Sequence, residues 1–128
     1  MTVPVRILVV DDQTVVREGL ATMLGLLPDL TVVATATGGA DALRLVAEHR
    51  PDVVLMDLHM PGMDGVEATR RIRAEHPGTR VVVLTTYADD QSILAGLRAG
   101  ALGYLTKDAG RDEIARAAHA AVAGQSVL

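Results

Sequence analysis

Three acidic residues follow directly on two short apolar runs of the sequence. Asp11 and Asp12 come after the run 7–10, and Asp57 comes after the run 53–56. Short runs rich in β-branched residues predict buried strands of a parallel sheet. Because the carboxyl ends of parallel strands lie at one edge, we expect the three carboxylates to lie close together. Their mutual repulsion calls for a proton or a divalent cation, and carboxylates are ligands that Mg²⁺ accepts.

Two further polar groups are expected at the same edge. Thr85 ends a fourth predicted strand, and Lys107 follows a fifth. Lys107 is the single lysine of the chain, and its compact ammonium suits a phosphoryl oxygen or a carboxylate partner. Aspartate can act as a nucleophile toward phosphorus, and such a transfer depends on positioning and on neutralising charge. These side chains therefore predict phosphoryl transfer onto a carboxylate.

Strand-like and helix-like segments alternate along the chain and would position these groups. The predicted strands are 6–10, 30–35, 53–57, 81–85 and 103–106. Helical spacing of apolar residues covers 16–27, 93–97 and 114–122, and further helices are predicted at 39–49 and 65–75. Five such repeats predict an α/β fold, namely a doubly wound parallel sheet with helices on both faces.

Composition excludes several classes of function. The chain has 128 residues, 49% of them apolar, which is enough for one domain with its own core. It has no cysteine, so a disulfide framework and a thiolate zinc site are excluded. The net charge of −4 gives no electrostatic reason to expect nucleic-acid binding. No apolar stretch approaches the length of a membrane span, so we expect a cytoplasmic protein without a membrane partner.

The sequence resembles a bacterial two-component response-regulator receiver domain over essentially its whole length. The residues that carry the likeness are Asp11, Asp12, Asp57, the segment 60–65, Thr85, Tyr104 and Lys107. The resemblance implies that Asp57 is the phosphoacceptor for a sensor histidine kinase. It also implies a Mg²⁺ (or Mn²⁺) site whose ligands come from Asp11, Asp12, Asp57 and the backbone carbonyl of His59. The implied fold is a flavodoxin-like, doubly wound three-layer sandwich whose five parallel strands have the order 2-1-3-4-5. The domain would be a signalling module rather than an enzyme.

The same resemblance assigns roles to other residues. Lys107 would pair with Asp57 or with its phosphoryl group. Thr85 and Tyr104 would be the switch pair that alters a surface of helix four, strand five and helix five. Residues flanking the site would modulate how long the phosphoryl group survives, namely His59, Thr86 and Tyr87.

Two stretches resemble the subfamily that usually carries a C-terminal helix-turn-helix output domain, namely 84–87 and 107–108. The ending 124–126 resembles the start of a linker to such a domain. We therefore expect residues 1–128 to form a single receiver domain, with transcription regulation and DNA binding left to an output domain outside this chain. The subfamily also suggests a homodimer on phosphorylation, through helices one and five or through helix four and strand five.

Other interpretations remain open on the residues alone. Asp11 and Asp12 could simply cap the first helix. A Mg²⁺-dependent phosphatase with an aspartate nucleophile would need a second acid two residues later, where this chain has His59. A flavin or nucleotide site would need a Gly- or Thr-rich loop after the first strand. A histidine zinc site lacks companion ligands, and a receiver that ignores phosphate would act as a protein-binding scaffold.

Overall fold

The computed structural model describes residues 3–86 and 89–124, in which five strands and five helices alternate. The strands are β1 (Val5–Val10), β2 (Leu30–Ala36), β3 (Val53–Met56), β4 (Arg80–Thr85) and β5 (Gly103–Thr106). The helices are α1 (Thr14–Gly25), α2 (Gly39–His49), α3 (Gly65–Glu75), α4 (Asp90–Ala99) and α5 (Arg111–Val122). Each strand lies within one residue of its predicted bounds, so the predicted alternation is confirmed.

All neighbouring strands are parallel, and their order is β2-β1-β3-β4-β5. This is the order predicted from the sequence. At the carboxyl edge Val10 is level with Met56, and Met56 is level with Val83. The chain therefore leaves β1 and β3 at the same height, and β4 continues two residues further, so the ends of all three strands border one crevice.

Two apolar clusters cover the two faces of the sheet. In β1, Leu8 and Val10 face one cluster, whereas Ile7 and Val9 face the other, as the period of two in a strand requires. The first cluster includes apolar residues of α2 and α3, namely Ala42, Leu45, Val46, Ala68 and Ile72. The second includes apolar residues of α1 and α5, namely Leu20, Leu24, Ile114, Ala118 and Ala121. The predicted three-layer sandwich is thus confirmed.

Helix ends show where the chain turns. Gly100 follows α4 with a φ of 117°, a left-handed conformation that suits a glycine at the end of a helix. Arg50 follows α2 in the same left-handed region with a φ of 48°, an unusual conformation for a residue with a side chain. Within the described ranges every helix is too short or too polar to cross a bilayer.

Candidate functional site

The structure brings together the three carboxylates that follow β1 and β3. Asp11, Asp12 and Asp57 each offer an oxygen, and these oxygens lie within 4.8 Å of one another. Asp11 and Asp57 are buried, whereas Asp12 is exposed at the opening of the crevice. Such a set of hard oxygen donors with one accessible side suits a divalent cation of the Mg²⁺ type.

Lys107 reaches this cluster from the loop after β5. Its Nζ lies 2.5 Å from Asp11 Oδ2 and 3.4 Å from Asp57 Oδ2. Asp11 Oδ2 is buried and meets no donor in hydrogen-bond geometry within the described part of the chain, so the ammonium serves it as an ion-pair partner. The closer partner of Lys107 is therefore Asp11, whereas the family resemblance named Asp57.

The electrostatic balance of the site is unfavourable to the charged form of Asp57. Burial raises the pKa of its carboxyl, and the neighbouring Asp11 raises it further, against the opposing effects of Lys107 and of the His59 amide. Burial also lowers the pKa of Lys107, but Asp11 and Asp57 outweigh it, and the net pKa of the ammonium is raised. Three carboxylates and one ammonium leave two negative charges, which is the charge a divalent cation would neutralise.

A small cavity opens onto Asp57. Its volume is about 100 Å³, and it is lined by Asp12, Gln13, Asp57, His59 and Thr86. Larger cavities of about 320 and 490 Å³ lie elsewhere and include none of the three clustered carboxylates. The chemistry of the lining, rather than the volume, therefore selects the small cavity as the functional one.

The hydroxyl and ring residues predicted for the site lie at different depths. Thr85 is the last residue of β4 and is completely buried, and its carbonyl accepts a hydrogen bond of 3.0 Å from the Lys107 amide. Thr86 is exposed and lines the cavity, as expected of a residue that flanks the site. β4 ends at Thr85, so Thr86 belongs to the loop that follows. Tyr104 is partly buried against the first apolar cluster, and Tyr87 lies outside the described residues.

His59 connects the cavity to the start of α4. Its backbone amide donates to Asp57 Oδ1 over 3.3 Å, which holds the carboxylate in place. Its exposed ring extends toward Asp89, with 4.0 Å between Nε2 and Oδ2. Asp89 is the N-cap of α4, where its side chain accepts from the Ser92 amide. That hydrogen bond lowers the pKa of Asp89.

The loop after β3 is packed so closely that two glycines are required. A Cβ on Gly65 would lie 2.1 Å from the Asp57 carbonyl oxygen and 2.7 Å from Leu58 Cα. A Cβ on Gly39 would lie 2.5 Å from the Met63 carbonyl oxygen. The first turns of α3 and α2 thus press directly on the backbone that carries the site. The sequence marks Gly65 as part of the segment 60–65 that carries the family likeness, but this contact came from the structure.

Two residues that contact the loop after β1 were also missed. The Gln13 amide donates to Asp11 Oδ1 over 2.9 Å, and Gln13 lines the cavity. The Arg17 guanidinium donates to the Asp11 carbonyl oxygen over 3.0 Å. In the sequence, only the spacing indicates the Arg17 contact. Arg17 lies one helical turn after Gln13, so its side chain can point back toward the same loop.

A family model of the response regulator receiver domain matches residues 7–119, most of the chain. This chain is a member of the receiver domain family. The match includes all three clustered carboxylates and Lys107. The family predicted from the sequence is therefore confirmed.

Relatives of the receiver domain extend well beyond its own length. The transcriptional regulatory protein LiaR of Bacillus subtilis is 44% identical over 124 residues, and the response regulator GacA of Pseudomonas aeruginosa is 45% identical over 124 residues. Both alignments cover 97% of this chain, but only 59% of LiaR and 58% of GacA. The receiver thus spans somewhat more than half the length of these curated relatives.

Solved structures confirm the receiver fold. The receiver domain of the response regulator NarL from Mycobacterium tuberculosis has a TM-score of 0.91 and 37% identity, covering 96% of this chain and 99% of that one. A LuxR-family response regulator from Aurantimonas sp. SI85-9A1 has a TM-score of 0.89 and 39% identity, covering 96% and 88%. These relatives are of the subfamily predicted from the sequence.

Proposed function

We propose that this receiver domain accepts a phosphoryl group on Asp57 from a phosphohistidine of a sensor histidine kinase. The observation that carries the proposal is the arrangement around Asp57. Its carboxylate lies at an open cavity, within 3.4 Å of the Lys107 ammonium and beside two further carboxylates. Family membership supports the same chemistry and weighs against a phosphatase.

A divalent cation fits the donor set that the chain offers. Asp11, Asp12, Asp57 and the backbone carbonyl of His59 would hold it, and Mg²⁺ is the expected ion, with Mn²⁺ as a substitute. When bound, the ion supplies neutralisation of charge on the phosphoryl oxygens during transfer. The convergence of three carboxylates and the two negative charges that Lys107 leaves unbalanced support this assignment.

The transfer is a displacement at phosphorus. An Asp57 carboxylate oxygen attacks in line, an oxygen–phosphorus bond forms, and the nitrogen–phosphorus bond of the phosphohistidine breaks. Lys107 neutralises charge on a phosphoryl oxygen, and the His59 amide orients the carboxylate. Water later hydrolyses the acyl phosphate. The rate of that step is modulated by the cavity-lining residues His59 and Thr86 and by Tyr87.

The proposed switch runs from Thr85 to the surface of α4, β5 and α5. Thr85 would donate its hydroxyl to the phosphoryl group, and Lys107 would bind another oxygen. Since Thr85 is fully buried, this requires a movement at the end of β4. Tyr104 lies partly buried on β5 and would take up the space that Thr85 vacates. A local charge event would thereby alter a remote surface.

The output and the partners belong to the same proposal. The matched relatives are named as transcriptional regulatory proteins and response regulators, and they are longer than this chain. We infer a helix-turn-helix output domain through which the whole protein would bind DNA. Homodimerisation on phosphorylation, through α1 and α5 or through α4 and β5, remains a prediction, as does the cytoplasmic location.

The decisive experiment is intact-mass measurement after incubation with Mg²⁺ and acetyl phosphate. We expect one added phosphoryl group in the parent protein and none in Asp57→Ala. The matched control is Asp112→Ala, which removes an exposed carboxylate at the start of α5 and should retain the adduct. Absence of an adduct from the parent protein would refute the phosphoacceptor assignment. Steady turnover of a simple phosphate ester would instead support the phosphatase.

A further inference from the structure

Arg17 makes a contact that the proposed mechanism does not use. It lies in the first turns of α1 and is half-buried. One nitrogen of its guanidinium donates to the Asp11 carbonyl oxygen over 3.0 Å, and another donates to Thr14 Oγ1 over 3.4 Å. We propose that Arg17 is a positioning residue that fixes the turn carrying Asp11 and Asp12 for divalent-cation binding. This inference rests on the proposed function.

The turn between β1 and α1 has few other supports. The Asp11 amide donates to the Ala36 carbonyl over 3.1 Å, which ties the start of the turn to β2. The Gln13 amide donates to Asp11 Oδ1, which closes the turn locally. Helix α1 has no side-chain N-cap and no acidic residue in its first turn. The Arg17 amide donates to the Gln13 carbonyl over 2.9 Å as part of the helix, and the Arg17 guanidinium adds a side-chain bond that reaches back to the Asp11 carbonyl itself.

The guanidinium is suited to this role by its geometry. Its planar fork presents several N–H groups in fixed directions, so one side chain can bind a carbonyl and a hydroxyl together. The Asp11 carbonyl lies in the same residue as the buried, ion-paired carboxylate, so a shift of this peptide moves Asp11 and Asp12 together. Outer partners that orient metal ligands typically contribute about 10-fold to 100-fold to metal affinity.

The test compares Mg²⁺ binding by calorimetry in the parent protein, Arg17→Ala and Arg17→Met at constant ionic strength. The methionine variant retains most of the aliphatic stem and its packing. We expect about 10-fold weaker Mg²⁺ binding in both variants. The control is Arg44→Ala, which removes the same charge from the exposed face of α2, where Arg44 pairs with Asp41 and Glu48. Its Mg²⁺ affinity should equal that of the parent protein.

A second readout separates positioning from a merely structural role. Phosphorylation of Arg17→Met by acetyl phosphate should be slow at low Mg²⁺ and should approach the parental rate when Mg²⁺ is saturating. A Mg²⁺ affinity within about two-fold of the parent value would overturn the inference, even if the melting temperature falls. If Arg17→Ala does not fold, the Mg²⁺ affinity of Arg17→Met alone tests the inference. Failure of the parent protein to bind Mg²⁺ would overturn the proposed function, and this inference with it.

Discussion

At the level of single residues, the charge on Asp57 works against the stability of the folded domain. Burial raises the pKa of this carboxyl, so the folded state holds the proton more tightly than the unfolded chain does. Protonation of Asp57 therefore stabilises the folded state at low pH. This stabilisation is lost as the pH rises through the pKa that Asp57 has in the folded protein. Near neutral pH and without metal, we expect Asp57→Asn to raise the free energy of unfolding, because the neutral amide avoids the cost of burying a charge.

The measurement is urea-induced unfolding of both proteins in a chelator across a range of pH. The difference should shrink below the ordinary pKa of aspartate, because the parent carboxyl is then protonated in both states. Glu18→Gln is the control, since it neutralises an exposed carboxylate on α1. An Asp57→Asn protein that is less stable than the parent at neutral pH would contradict the charge argument.

A second residue-level prediction concerns Arg50. Its backbone has a φ of 48°, in the left-handed region where a side chain costs about 1 kcal/mol. We expect Arg50→Gly to stabilise the domain by about 0.5 kcal/mol, because relief of this strain exceeds the entropy that glycine adds to the unfolded chain. The Arg50 carbonyl still accepts its hydrogen bond from Arg6. Thermal unfolding measures the change.

The matched control for that prediction lies in the same helix. Arg44 is in the middle of α2, where a glycine replaces a regular helical residue. Arg44→Gly should therefore destabilise the domain by about 1 kcal/mol. The two substitutions remove the same side chain, but their effects on the free energy of unfolding should have opposite signs. Effects of the same sign would show that the backbone conformation at Arg50 is not the cause.

At the level of elements, the start of α3 decides how the phosphoacceptor is held. An alanine at Gly65 would place its Cβ against the Asp57 carbonyl oxygen and Leu58 Cα, both of which are backbone atoms that cannot rotate away. We expect Gly65→Ala to cost about 3 kcal/mol and to slow phosphorylation by acetyl phosphate. Unfolding in urea and intact-mass time courses measure the two effects.

Gly19 provides the control for this helix start. It lies within α1, and a Cβ there would meet no atom within 4 Å. Gly19→Ala should therefore stabilise the domain by about 0.5 kcal/mol, because alanine loses less entropy in a helix. If Gly65→Ala were as benign as Gly19→Ala, the close packing of α3 on Asp57 would not exist in solution.

The elements show what the sequence could predict and what it could not. Alternating patterns located all five strands to within one residue, and the predicted bounds of α2 and α3 agree with the structure. Thr86 lies beyond the end of β4, so the period of two in a strand could not predict how it borders the cavity. No sequence pattern predicted the left-handed conformation of Arg50 at the end of α2, because arginine is not a residue that favours left-handed backbone angles.

At the scale of the whole molecule, the topology explains why the site was predictable in outline. A parallel sheet brings the ends of β1, β3, β4 and β5 to one edge, so residues far apart in sequence had to converge there. Distances within the site depend on side-chain packing, which sequence patterns do not specify. For this reason the closer approach of Lys107 to Asp11, and the bond from Arg17, came from the structure alone.

The same architecture predicts that metal binding stabilises the entire domain. The carboxylates are attached to β1 and β3, two adjacent strands of the sheet, so unfolding disperses them and abolishes the site. A ligand that binds only the folded state adds about 2.7 kcal/mol at a free concentration about 100 times its dissociation constant. For a domain of this size, we expect the melting temperature to rise by about 4 °C for each kcal/mol.

Calorimetric melting with increasing Mg²⁺ at constant ionic strength measures this effect. Constant ionic strength keeps screening of the surface charges unchanged, so a rise in melting temperature reports specific binding. Asp12→Asn is the informative control, because Asp12 is exposed and its loss removes a ligand without opening the core. The variant should melt at one temperature whatever the Mg²⁺ concentration. Equal stabilisation of both proteins would mean that Mg²⁺ binds elsewhere and that the clustered carboxylates are not its site.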